Sequence, residues 1–368
     1  VTARRLDPTE LLSRRLESLL LDRRTVRSPG EVVEWFGAMQ AQDLASGEWS
    51  FGVRCAGLTQ ADVHRATIDR EIVRTWPMRG TVHFVPPRDA RWMLEVTGVR
   101  ALAGAARRRE QLGLTESVVD AAAQVLQEAL RGGECLTRAE CVEHLVEAGV
   151  HTAPEHGYHL LWYASQIGVT CIGPQQGKEQ TFVLLDEWVP DPRRLDRDEA
   201  LAVLALRYVR SHGPVTRHDL ARWTGLAVGD ATRAIALAGD ELVPVEVDGI
   251  DMVVAAEQLE HDGPDLPGVL LLPGFDEYML GYKDRAAMLT DEQFERVVPG
   301  RNGVFKPTVV VDGRVVGTWS RKVRAAHVDV QVSPFGRIPA AARRGLARAA
   351  DEYGEYLCLD ARVSVADV

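Results

Sequence analysis

Cysteine is scarce and poorly spaced for crosslinking. The five cysteines stand at 55, 135, 141, 171 and 358, an odd number with no CxxC pair. A disulfide framework does not fit that spacing, and neither does a zinc ribbon or finger. Long apolar runs are missing as well. The stretch 200–206 is among the longer ones and falls far short of the ~20 residues a membrane span needs. The opening residues, VTARRLDPTELLSRRL, carry charge throughout and have no apolar core of the signal-peptide kind. The expected setting is a reducing cytosol. Positive charge is not in excess: 43 basic residues face 53 acidic ones, a net charge of −10. That excludes a histone-like protein that holds nucleic acid by bulk charge, but it leaves room for a local basic channel. Lysine occurs only at 178, 283, 306 and 322, so nearly all the basic residues are arginine. GC-rich coding accounts for such a bias. So does phosphate recognition, for which the guanidinium fork is suited. Only local clustering separates the two.

The 368 residues are 46% hydrophobic and 26% charged, the composition of a globular chain of about two to four domains. The chain repeats itself weakly. LTRAECVEHL at 136–145 and VTRHDLARWT at 215–224 share a pattern in which Thr137 or Thr216 caps a helix and Glu140 or Asp219 stands three residues on. Each follows a longer helical stretch, 116–130 or 197–211. Each precedes a third helix, 155–166 or 229–237, and then a hairpin. The later hairpin turns at Asp248-Gly249, a pair suited to a type I′ turn. The N-terminal part repeats the order more loosely, with helices at 9–21, 30–39 and 59–68 and a hairpin of EIVRTW and TVHFV. Helix–helix–helix–hairpin is the winged-helix plan. The expected fold is therefore α+β and mainly helical, with three tandem winged-helix units near 1–98, 99–190 and 191–267. A C-terminal α/β segment, 268–368, would carry a hairpin turning at Asp312-Gly313 and an Ala/Arg-rich helix over 340–353.

Basic residues do cluster. Residues 301–324 hold Arg301, Lys306, Arg314, Arg321, Lys322 and Arg324 against one acid, Asp312. Residues 1–30 hold seven arginines, Arg23 and Arg24 among them, and Arg107-Arg108-Arg109 is a further run. Each patch alone reads equally well as a solvated charged face. A two-stranded ribbon, however, is slim enough to approach a groove, with its cations on phosphates. Lys306, Arg314, Arg321, Lys322 and Arg324 are the expected contacts, with Trp319 as a stacking residue; Trp49 and Trp76 read as core. The other feature is Gln40-Ala41-Gln42, after a helix whose Val32, Val33, Trp35, Phe36 and Met39 recur at helical spacing. On a continuing helix the two amides would diverge by about 200°. In an extended chain they would face one way, with Ala41 turned into the core.

These motifs resemble one family. The marks are Gln40-Ala41-Gln42-Asp43 after a helix, Arg79-Gly80-Thr81-Val82-His83, His159-Leu160-Leu161, Leu272-Pro273-Gly274-Phe275-Asp276, Gly281-Tyr282-Lys283-Asp284-Arg285 and the hairpin NGVFKPTVVVDGRVVGTWSRK. Together they resemble the winged-helix DNA glycosylases of the AlkZ and YcaQ type, across nearly the whole chain. The Gln-apolar-Gln form is similar to the AlkZ branch rather than the Gln-apolar-Asp branch. The resemblance implies a C-shaped scaffold with Gln40 and Gln42 as catalytic residues in its channel. It also implies a monomer acting on double-stranded DNA with N7-alkylguanine or interstrand crosslinks. The role would be repair, including self-resistance to a DNA-alkylating natural product. The chemistry suits the residues. Glycoside hydrolysis usually needs an acid on the leaving group. An N7-alkylguanine is already cationic and leaves without one. An amide can then orient the water and oppose the charge of the sugar cation, with no metal or organic cofactor. His83 and Asp43 stay outside the catalytic set.

Two other readings fit parts of the pattern. A transcriptional regulator would use winged helices equally well. Its recognition helix would expose basic residues, whereas 229–237 has only Arg233 and 156–166 has no Lys or Arg. A protein-binding scaffold would leave the basic hairpin unexplained.

Overall fold

The computed structural model describes residues 4–22, 26–150, 153, 155–261, 263 and 265–367. Arg23 and Arg24 of the N-terminal basic run lie outside the described residues. The protein is a mixed α+β structure in which helices predominate.

Local chemistry sets the helices. In the middle third, Glu116–Ala129, Arg138–Glu147 and His156–Gln166 precede the antiparallel strands Thr170–Ile172 and Thr181–Leu184. The second of these strands ends at Leu184, where Leu185–Trp188 closes into a helical turn with Asp186 and Glu187 at its positive end. Next, Arg197–His212, Arg217–Thr224 and Val228–Leu237 precede the hairpin Leu242–Val247 and Ile250–Ala255. Both expected capping boxes are present. The Thr137 hydroxyl accepts the Glu140 N–H, the Thr216 hydroxyl accepts the Asp219 N–H, and each acid returns to the threonine N–H. At the Asp248-Gly249 turn φ is +49° and +77°, the signs a type I′ turn requires.

The N-terminal third departs in one respect. Between Pro29–Phe36 and Gln60–Ile68 lies an additional helix, Leu44–Gly52. Its sequence LASGEWSFG has no amphipathic stripe, because Ser46–Gly52 are buried on every side. Residues 87–111 form a chain of short helical segments that leads into the middle third.

Among the described residues, three sheets tie these stretches together. A six-stranded sheet runs Met39–Gln40, Thr81–Val85, Val73–Met78, Thr170–Ile172, Thr181–Leu184 and Leu136–Thr137, so two of the helical stretches share it. Arg4–Leu6 lies parallel to Leu242–Val247 and carries the chain's start onto the third stretch. The C-terminal segment is a five-stranded sheet of Val269–Leu272, Thr308–Val311, Arg314–Val323, His327–Pro334 and Asp360–Val365. The helix Ala340–Leu357 packs against it, four residues longer than the sequence suggested.

The basic hairpin is thus not a free ribbon. Thr308–Val311 and Arg314–Val323 lie inside the five-stranded sheet. The Asp312-Gly313 turn is packed down, with the Gly313 carbonyl accepting the Tyr278 hydroxyl and a Cβ at Gly313 only 3.1 Å from the Leu12 Cβ. What projects is the other end. Arg314–Val323 outruns Thr308–Val311, and its last residues pair only with His327–Pro334.

Candidate active site and DNA interface

Ser28 starts the helix Pro29–Phe36 by accepting the Glu31 N–H, and Gly37, at φ +76°, stops it. The chain then extends along Thr81–Val85, with Met39 opposite Phe84, Gln40 opposite His83, and the Ala41 N–H on the Val82 carbonyl at 2.8 Å. Gln40 is half-buried, Ala41 is fully buried and Gln42 is exposed, the alternation expected of an extended segment. Gly47 makes this possible from below, since a Cβ there would lie 3.0 Å from the Ala41 Cα and 3.1 Å from the Gln40 carbonyl oxygen.

The two amides differ in what they have left to offer. Gln42 Oε1 accepts the Val82 N–H at 3.1 Å, which extends the strand pairing through a side chain. Its NH2 group is the part presented outward. Gln40 Oε1 is buried with no partner, and so are Arg79 Nε and Thr81 Oγ1 on the neighbouring hairpin.

A ring of buried charge surrounds the strand. The Gln40 N–H donates to Glu277 Oε1 at 3.1 Å, and Arg74 reaches the Ala41 carbonyl from Nη2 at 3.4 Å. Glu277 Oε2 accepts Trp223 Nε1–H at 2.9 Å and lies 3.3 Å from His212 Nε2. Burial alone would push the Glu277 carboxyl up. The bonds and charge of His212, the Trp223 bond and the nearby His83 outweigh it and hold it at about 2. His83 goes the other way: burial and the Arg79 charge push it down to about 3. Its neutral ring donates from Nδ1 to the Thr81 carbonyl at 2.8 Å, and Nε2 accepts from Arg79 at 3.2 Å. With both nitrogens engaged, His83 acts as a buried structural residue. Asp43 sits at the start of Leu44–Gly52 and accepts the Ser46 hydroxyl at 2.7 Å.

The expected DNA contacts fall into three places. Lys306, Arg321, Lys322 and Arg324 gather at the projecting end of the sheet; all are exposed except Arg321, which is half-buried. This end lies beside the glutamine segment. A Cβ on Gly274 would lie 2.9 Å from the Phe305 carbonyl oxygen and 3.4 Å from Ser46 Oγ, and Arg321 and Asp43 both act on the Tyr353 hydroxyl. Arg324 shares its charge with Asp329 at 3.3 Å, an exposed pair of little energetic weight. Arg314 stands at the opposite end of its strand from Lys322, eight steps or roughly 26 Å away. It belongs to another part of the surface. Trp319 is no stacking residue. It is 3% exposed, donates Nε1–H to the Leu272 carbonyl at 2.8 Å, and packs edge-on to Tyr353. Its alternation with Val315 and Gly317 on the inner face of the strand carried this signal in the sequence. Trp49 and Trp76 are buried too.

Sequence reasoning assigned no role to Glu277, Arg74, Trp223 or His212. Among the described residues, no group of three or more His, Cys, Asp or Glu side chains is arranged to hold a metal ion, and no helix is long and apolar enough to cross a membrane.

Known proteins match this chain along most of its length. The family described as DNA glycosylase AlkZ-like matches residues 33–356. An interstrand DNA cross-link repair glycosylase of Streptomyces sahachiroi is 29% identical over 338 residues, covering 87% of this chain and 88% of that protein. The solved structure of the Streptomyces sahachiroi DNA glycosylase AlkZ superposes with a TM-score of 0.82 at 27% identity, over 98% of this chain and 100% of that one. The matched span includes the glutamine strand, Glu277 and the projecting basic end, and the chain belongs to the AlkZ-like family of DNA glycosylases, enzymes that hydrolyse N-glycosidic bonds.

Proposed function

We infer that this enzyme excises N7-alkylated purines from duplex DNA and unhooks interstrand crosslinks, with Gln40 and Gln42 placing the attacking water at the sugar C1′. The observation that carries the reading is the amide pair itself. An extended strand presents two neutral amides beside a basic projection, while His83 and Glu277 are buried and engaged and the exposed Asp43 accepts the Ser46 hydroxyl. Such a site lacks a free general acid, so it suits a base that is already a cation and leaves unaided. The name of the Streptomyces relative supports crosslinks as substrates. The helical stretches are read as three winged helices, 1–98, 99–190 and 191–267, joined to 268–368 in a C-shaped scaffold around the duplex. The protein acts as a cytoplasmic monomer without a cofactor. A regulator is disfavoured by the third helices: Arg233 of Val228–Leu237 is held by Asp198 at 2.6 Å.

The direct test uses duplex DNA with one N7-methylguanine, and a second duplex joined through guanine N7 atoms. Alkali should cleave the first strand at the resulting abasic site, and the second duplex should run as separated strands on a denaturing gel. Intact DNA in both assays would overturn the reading.

Phosphate contacts at the projecting end have their own signature. Replacing Lys306 and Lys322 with alanine should weaken binding to undamaged duplex. It should also flatten the slope of log K against log salt by about one to two units. An unchanged slope would place that end away from DNA.

A further inference from the structure

The Gln40 strand is the outer edge of its sheet, so one side of its backbone has no strand to pair with. The Ala41 N–H turns inward to Val82, and the Gln40 N–H turns outward. An outward N–H on an edge strand usually meets water. Here it meets a carboxylate from 237 residues further along the chain.

That carboxylate is held from every direction. Glu277 is 2% exposed and opens the short helix Glu277–Leu280. The residue before it, Asp276, is locked to Arg54 by two bonds of 2.8 and 3.1 Å and caps the same turn through the Tyr278 N–H. Glu277 Oε2 takes Trp223 Nε1–H and faces His212 Nε2, leaving Oε1 for Gln40. Gly281 closes the turn and leaves no room for a side chain against His212. Three elements therefore aim one anion at one backbone N–H: the 276–281 turn, the helix Arg197–His212 with His212, and the helix Arg217–Thr224 with Trp223. On the other side of the same peptide segment stands the opposite charge, Arg74 at the Ala41 carbonyl.

The geometry points to Glu277 as a positioning residue for excision. By accepting the Gln40 N–H while Trp223 and His212 fix its other oxygen, it sets the strand from which Gln40 addresses the water. Its action runs through Gln40 and needs no contact with DNA. An ionised carboxylate accepts and never donates, and three donors converge on it. A glutamine at this position has one oxygen to serve both sides. Its NH2 group must then face either the Gln40 N–H or the Trp223 and His212 side, and the strand shifts. A displacement of about 1 Å at a reacting centre is enough to cost up to ~100-fold in rate. This role rests on the reading of Gln40 as part of the reaction site, and the test separates the two.

The experiment measures single-turnover excision of N7-methylguanine and duplex affinity for Glu277→Gln, Gln40→Ala and the double variant. Thermal unfolding of each, and of Trp92→Phe, runs alongside. Trp92→Phe removes the buried bond from Trp92 Nε1 to Asp89 Oδ1, away from the glutamine strand, and serves as a comparison for lost stability. Glu277→Gln should lose ~10–100-fold in rate with duplex Kd unchanged. Trp92→Phe should lower the melting temperature and keep the rate. The double variant should be no slower than Gln40→Ala, since both changes remove one device. Full multiplication of the two losses, or a wild-type rate in Glu277→Gln, overturns the positioning role. A wild-type rate in Gln40→Ala instead removes the glutamine from the reaction, whatever Glu277 does. Should Glu277→Gln fail to fold, Glu277→Asp keeps the charge and all acceptors on a stem one carbon shorter. It should fold, bind DNA and excise slowly, and a wild-type rate there also overturns the proposal.

Discussion

Single-turnover excision of N7-methylguanine falls by up to about a hundredfold in Gln40→Ala and in Gln42→Ala, with duplex affinity retained. Removing one well-placed polar group from a transition-state site costs ~10²–10³-fold, and a leaving group that is already cationic asks less of the protein, so the lower end or below is expected. The two amides do different things. Gln42 spends its carbonyl on the Val82 N–H and offers its NH2 outward. Gln40 holds a carbonyl oxygen with no protein partner. One donor and one acceptor are what a bound water needs to be aimed. The double variant should be slower than either single one but short of the product of the two losses, because both groups serve one water. Affinity should survive, because the proposed phosphate contacts, Lys306, Arg321 and Lys322, lie at the projecting end of the sheet. Wild-type rates in all three variants would remove the glutamines from the mechanism.

Asp276→Ala destabilises the protein by about 3–5 kcal/mol, the cost of stranding a buried charge. Arg54 and Asp276 are both fully buried at their side chains, joined by bonds of 2.8 and 3.1 Å. Arg54 also donates to the Leu19 carbonyl at 2.9 Å and the Ser50 carbonyl at 3.0 Å. Its guanidinium thus ties the N-terminal helices to the turn that carries Glu277. Without Asp276 the buried guanidinium loses the carboxylate that pairs with it. Arg54→Met combined with Asp276→Asn should cost less than the two single losses added together, because neither charge is then left alone. Urea unfolding of the wild type and these four variants measures this. A denaturation midpoint for Asp276→Ala at the wild-type value would contradict the burial on which the argument rests.

The elements built from neighbouring residues were open to reading in advance. Thr137 with Glu140 and Thr216 with Asp219 start their helices through side chains three residues apart, and the Asp-Gly pairs turn their hairpins through two dihedrals. Gln40-Ala41-Gln42 was legible only in part: the sequence carried the helix to Met39 and left open whether the chain then extends, whereas Gly37 stops the helix after Phe36 and Met39 already lies in the strand. The family likeness was legible because its motifs are short and contiguous.

What eluded the sequence depends on contacts across the chain. Leu44–Gly52 has no periodic face, since it is enclosed by Trp49's partners Tyr353 and Tyr356 from the C-terminal helix. The basic hairpin resembled a free ribbon until Val269–Leu272 and His327–Pro334 were seen to flank it. That pairing buries Trp319, parts Arg314 from Lys322 and moves the projection to the strand's far end. Above all, the charges around the glutamines come from afar: Glu277 from beyond the third helical stretch, Trp223 and His212 from within it. A sequence specifies local bonds through nearby residues of matching chemistry. It carries no local trace of a carboxylate that reaches its N–H only when three separate segments have packed around it.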